Sequence, residues 1–136
     1  MAEIQGKYFT LEEAKAVLLL MTPLLNRVQQ VIDDLLKLQK EYSILQHRVG
    51  RNREEVPPWE ISEIRDALQA DEYEFRQLLD EIISYGCEVK GVNPLLLDFP
   101  SLRANKGVYL CWRQGEPTIS HWHEFDTGFR SRKPLN

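Results

Sequence analysis

Apolar residues recur at alternating steps of three and four from Ala14 onward: Ala14, Val17, Met21, Leu24, Val28, Val31, Leu35, Leu38, Tyr42, Leu45 and Val49 occupy the a and d positions of unbroken heptads. None is charged. The spacing predicts a helix over 10–49 that starts at Thr10-Leu11-Glu12-Glu13, where Thr10 and Glu13 can satisfy each other's backbone amides in a capping box. At roughly 1.5 Å per residue it would form a rod of about 60 Å. Pro23 lies inside and removes one hydrogen bond, so a kink or a break is expected between Leu19 and Pro23. At the flanking e positions Leu18, Leu25 and Ile32 are apolar, whereas Gln39 and Gln46 are polar. The first half of the rod therefore needs cover on two sides, and the second half on one.

A charged turn over 50–58 ends in two prolines, which suit the start of a second helix over 58–85. Ile61, Ile64, Leu68, Phe75, Leu78 and Ile82 line its seam; Asp71 breaks the pattern and requires either a local irregularity or a cation on the first helix. Gly86 reads as a left-handed C-cap, with Cys87 closing against Ile82. The short connection predicts antiparallel packing. The last fifty residues change period: 88–90 and 95–99 read as short strands, and 108–112 and 118–125 as a β-hairpin around Gln114-Gly115-Glu116-Pro117. The expected fold is α+β and mainly α: a long antiparallel coiled-coil-like helical hairpin (10–85), a small antiparallel β cap (86–129) and a basic tail (130–136). The whole chain, 1–136, is expected to be one domain, with the cap covering the beginning of the first helix.

Composition narrows the function classes. A net charge of −4 over 136 residues argues against a general nucleic-acid binder, apart from the clustered Arg130, Arg132 and Lys133. The apolar run 17–21 is too short to span a bilayer, and 1–7 does not begin a secretory signal. With only Cys87 and Cys111 as thiols, a reducing cytoplasm is the expected location and a disulfide framework is not.

Ionisable side chains concentrate in the last third: Glu88, Asp98, Tyr109, Cys111, Arg113, Glu116, His121, His123, Glu124 and Asp126. His121 and His123, two apart on a strand, face the same way and could share a divalent transition metal such as zinc with Cys111 and a carboxylate. That constellation depends on register. Pairing of Arg113 with Thr118 would put Cys111 opposite Ser120, whereas a three-residue loop, Gly115-Glu116-Pro117, would put Cys111 opposite His121 and Tyr109 opposite His123. The competing readings are an inert core thiol, packed imidazoles, tryptophans Trp112 and Trp122 as core anchors, and ion pairs that merely fix the cap. No phosphate-binding glycine loop, nucleophile elbow or Cys-x-x-Cys pair is present.

Tyr8-Phe9-Thr10-Leu11-Glu12-Glu13-Ala14, Gly86-Cys87-Glu88-Val89-Lys90, Leu97-Asp98-Phe99-Pro100, Val108-Tyr109-Leu110-Cys111-Trp112-Arg113, Gly115-Glu116-Pro117 and Trp122-His123-Glu124, followed by Asp126, Gly128, Phe129 and Arg130, together resemble a prokaryotic family known only as a domain of unknown function. Thr127, Ser131 and Gln114 stand where that pattern favours Ala, Gly and Leu. His121 falls at a position it leaves open, so the resemblance shifts attention to Glu88, Asp98, Cys111, Glu116, His123, Glu124 and Asp126. Two roles follow from the sequence: self-association or protein-partner binding through the helical seam, and a metal- or ligand-binding, or catalytic, site in the cap around His123, Glu124, Asp98 and Cys111.

Overall fold

The capping box forms. Thr10 Oγ1 accepts from the Glu13 amide at 3.1 Å, and Glu13 Oε1 accepts from the Thr10 amide at 2.9 Å. Helix α1, Leu11–Leu20, starts there in a computed structural model that describes residues 8–49 and 56–135. It does not continue to residue 49. Met21 is a turn residue whose amide still bonds Val17 O at 3.0 Å, and α2, Thr22–His47, begins immediately after it. The break places Pro23 in a first helical turn, where a missing N–H leaves no intrahelical partner unsatisfied. Of the turn expected over 50–58, residues 50–55 lie outside the described residues. Pro58 opens α3, Pro58–Ser84.

The chain divides into two compact units, Leu24–Leu79 and the remainder. In the first, α2 and α3 run antiparallel. Arg27 near the start of α2 meets Glu74 toward the end of α3, while Glu41, Ile44 and Leu45 share a groove of about 250 Å³ with Glu60 and Ile64. Val28, Val31, Ile32, Leu35 and Leu45 are buried, as heptad positions and their apolar flank predict. Arg27 also feels the irregular seam position: its hydrogen bonds go to Glu74, and the Asp71 carboxylate adds to the field around it.

The second unit joins α1 and the end of α3 to a five-stranded antiparallel sheet in sequential order: β1 Glu88–Val92, β2 Leu95–Arg103, β3 Lys106–Arg113, β4 His121–Glu124 and β5 Lys133–Pro134. Gly86 turns out of α3 at φ +103°, and the Cys87 thiol donates to Ile82 O at 3.5 Å, so the predicted closure is present. Asn93-Pro94, a cis pair, joins β1 to β2. Ala104 and Asn105, both at positive φ, form the two-residue turn between β2 and β3. The residues expected to be a basic tail supply β5.

Strand β2 runs straight through Pro100, which had marked its expected end. Counting back from the Arg103–Lys106 pair that closes the turn, hydrogen-bonded and open pairs alternate, and Pro100–Tyr109 is an open pair. The proline nitrogen therefore faces away from β3, on the side where β1 has already ended. Phe9 occupies that side: its amide donates to Pro100 O at 2.7 Å, the Ser101 hydroxyl donates to Phe9 O at 2.6 Å, and its ring meets Phe99 edge-on at 5.4 Å. These contacts tie the beginning of the first helix to the sheet.

Candidate metal centre

The two faces of this sheet differ in chemistry. Leu97, Phe99, Val108, Leu110 and Trp112 alternate onto one face; Asp98, Tyr109, Cys111 and His123 alternate onto the other, and all are buried. Pairing of Glu88 with Asp98 and of Asp98 with Cys111 sets three reactive groups in a row across β1, β2 and β3. Asp98–Cys111 is an open pair, the kind that brings facing side chains closest. Between β3 and β4 the register is the second of the two alternatives: Cys111 faces His121 and Tyr109 faces His123. The connection is longer than three residues, since β4 begins only at His121. It is pinned by Glu116, whose amide donates to Arg113 O at 3.0 Å, whose carboxylate accepts from the Arg113 amide at 2.7 Å, and whose carbonyl accepts the Trp112 indole N–H at 3.0 Å.

The residue that reaches the Asp98–Cys111 pair is His123, the diagonal neighbour of Cys111, and not His121 directly opposite it. One donor atom from each of Asp98, Cys111 and His123 lies within 4.8 Å of the other two, and the three residues are 2%, 1% and 1% exposed. His123 Nδ1 donates to the Glu124 carbonyl at 2.8 Å, since a carbonyl can only accept. Nε2 consequently points at Asp98 Oδ2, 3.0 Å away, with one proton shared between them. A ring fixed through one nitrogen by a backbone carbonyl, with the other aimed at anionic donors, is the arrangement that orients metal-binding histidines.

Burial governs the acidities. It pushes the Asp98 carboxyl above its ordinary value, although the charges of His123 and Lys90 pull it back. It pushes the Cys111 thiol up to about 12, reinforced by the Asp98 charge and opposed by the Arg132 guanidinium. Tyr109 is raised as well, by burial and by donating at 2.7 Å to Glu88 Oε2. A neutral thiol beside a histidine whose two nitrogens are already engaged is not an activated nucleophile. A cation seated among the three groups would supply what the thiol lacks, because coordination deprotonates it outright.

The other expected residues take supporting or separate places. The Glu116 carboxylate binds Arg132 through two contacts of 3.0 and 2.9 Å; partial burial pushes its pKa up, but that bond and the Arg113 amide together hold it below its ordinary value. His121 lies 2.9 Å from Ser120 Oγ and 3.9 Å from Glu116 Oε2, outside the donor cluster. Arg113 is exposed and contributes its amide. Glu124 serves through its carbonyl, while its carboxylate pairs with Lys133 at 3.0 Å. Asp126 is exposed on a cleft of about 550 Å³ with Tyr8, Asn105, Lys106 and Phe125. Two participants were not anticipated. Lys90 lies 3.7 Å from Asp98 Oδ2, and Arg132 interacts with the Cys111 thiol. The signal for Lys90 was its place two residues after Glu88, which puts both on one face of the strand. Arg132 had been grouped with the exposed basic end.

A family match extends over residues 7–135, which takes in every helix and strand described above. The chain belongs to the family described as an uncharacterized conserved protein, DUF2203. No curated protein and no solved structure matches it. In this DUF2203 chain the sequence blocks that carry the resemblance map onto the start of α1, the Gly86 turn with the first part of β1, the centre of β2, all but the first two residues of β3, the Glu116 turn, and β4 with the segment that follows it. They include all three donors.

Proposed function

We propose that the polar face of the sheet is a binding site for a divalent transition metal, with Asp98, Cys111 and His123 as protein ligands. The observation that carries this reading is the convergence of one sulfur, one nitrogen and one oxygen donor from three strands, buried and within 4.8 Å of one another. Zinc binds such donors at roughly 2.0–2.3 Å, so small side-chain movements suffice to close the set on one ion. Thiolate and imidazole favour zinc, cobalt or nickel over magnesium or calcium. Uptake would exchange the ion for the thiol proton and the proton shared by His123 and Asp98, leaving the net charge of the buried cluster unchanged. A fourth tetrahedral position remains for water or a ligand oxygen. Both cysteines are free, which suits a reducing cytoplasm.

The test uses metal-free protein without a polyhistidine tag, titrated with Co²⁺ and with Zn²⁺. One ion per chain, with sulfur-to-cobalt charge-transfer absorption that disappears in Cys111→Ser and weakens in His123→Ala, is the expected result. Wild-type protein that takes up neither ion would overturn it.

A second reading concerns the helical unit. Leu36, Ile44, Trp59 and Tyr73 are exposed there, and Trp59 is 65% accessible. They supply an apolar surface through which the coiled-coil-like pair could associate with a second copy or with another protein. Light scattering across a wide concentration range tests self-association, and a constant monomer mass would remove it.

A further inference from the structure

Lys90 is the extra residue of a β-bulge: pairing slips between Val89 and Gly91, so that two residues of β1 face one of β2. Strand alternation sets Lys90, two residues after Glu88, on the same polar face as Glu88 and Asp98. Its side chain crosses that face, the ammonium 4.4 Å above the centre of the Tyr109 ring, 3.4 Å from Glu88 Oε1 and 3.7 Å from Asp98 Oδ2. Asp98 Oδ2 is also the oxygen that meets His123. The carboxylate thus has two claimants on one oxygen, a buried imidazole and an ammonium, and it is the carboxylate that the metal reading assigns to an ion.

The two ends of this contact differ in their access to water. Asp98 is 3% exposed at the side chain and Lys90 is 41% exposed. The ammonium can withdraw toward solvent and Glu88 without being stripped of hydration, whereas the carboxylate cannot leave. Resting on the metal reading above, we propose that Lys90 is the resident counter-cation of the site and the residue that sets its affinity: it holds the Asp98 charge while the site is empty and yields when a divalent ion enters. Glu88 is the receiver. Its other oxygen is fixed by the Tyr109 hydroxyl at 2.7 Å, so it stands ready for the displaced ammonium.

This role has a signature that plain structural support lacks. Removing the charge should weaken the empty protein and strengthen metal binding at once, because a fixed positive charge a few ångströms from the ion opposes its entry. In Lys90→Met, Co²⁺ affinity measured by chelator competition is expected to rise about tenfold or more, while the melting temperature of the metal-free protein falls. Lys90→Arg should keep both near wild type. Unchanged or weaker Co²⁺ binding by Lys90→Met, or an empty variant at least as stable as wild type, would overturn the role of Lys90 and leave the metal site standing. Absence of Co²⁺ binding by wild type and variant alike would remove the metal site itself and this role with it. Binding by the variant alone would leave the wild-type protein without a metal site and remove both.

Discussion

Arg27 grips Glu74 with two hydrogen bonds of 2.6 and 2.7 Å on the helical pair, and His123 meets Asp98 at one contact of 3.0 Å inside the sheet. Distance alone ranks the first pair higher. Its side chains, however, are 49% and 36% exposed, against 2% and 3% for the second. Water and salt screen the first, and its side chains lose rotamer freedom to hold their geometry. Neither group of the second has water to fall back on, so each depends on the other. The carboxyl groups register the contrast in opposite directions. Arg27's hydrogen bonds hold Glu74 below the usual carboxylate range, and burial lifts Asp98 above it. Removing one member is therefore minor in one place and severe in the other.

The largest effect should come from Asp98→Ala, which leaves His123 enclosed without its partner and should destabilise the fold by about 3–5 kcal/mol in denaturant unfolding. Joint replacement of Asp98 and His123 by Leu should recover much of that loss. A cost for Asp98→Ala no greater than a surface substitution would break the comparison.

A smaller effect probes the same enclosure through the thiols. Burial pushes Cys87 from 9.0 up to about 12, as it does Cys111. With the folded value above the unfolded one, the stabilisation is complete below pH 9 and is lost as pH rises toward 12. Stability should fall there by up to about 1.4 kcal/mol per thiol for each pH unit. Both cysteines should resist a thiol reagent at pH 8 in the native protein and react fully once it is unfolded. Rapid native reaction would show the enclosure to be open. The smallest effect belongs to the helical pair: Arg27→Ala and Glu74→Ala should shift the melting temperature only slightly, and high salt should erase the shift.

What could be read in advance was whatever depends on neighbours in sequence. The Thr10–Glu13 cap and the Gly86–Cys87 closure are written within a few residues, and both formed. The β3–β4 register was narrowed to two alternatives, but the choice depended on Glu116 bonding Arg113 and Trp112, which no periodicity encodes. Continuation of β2 past Pro100 was hidden because it depends on where β1 ends and on Phe9 arriving from the far end of the sequence. His123 rather than His121 as the third donor is a diagonal relation that strand alternation leaves undecided. Lys90 shares the face of Glu88 by alternation, but its contact with Asp98 depends on the β1–β2 pairing, and Arg132 arrives just before a strand of two residues with no hydrophobic pattern of its own.

Phe9 and Ser101 are 92 positions apart and share a hydrogen bond. Helices α2 and α3 are spelled out between them, so a nascent chain can assemble the helical unit while Phe9 still waits for its strand. The sheet-containing unit closes only after β2 has emerged, a late, long-range event for which chain entropy, more than local propensity, sets the pace.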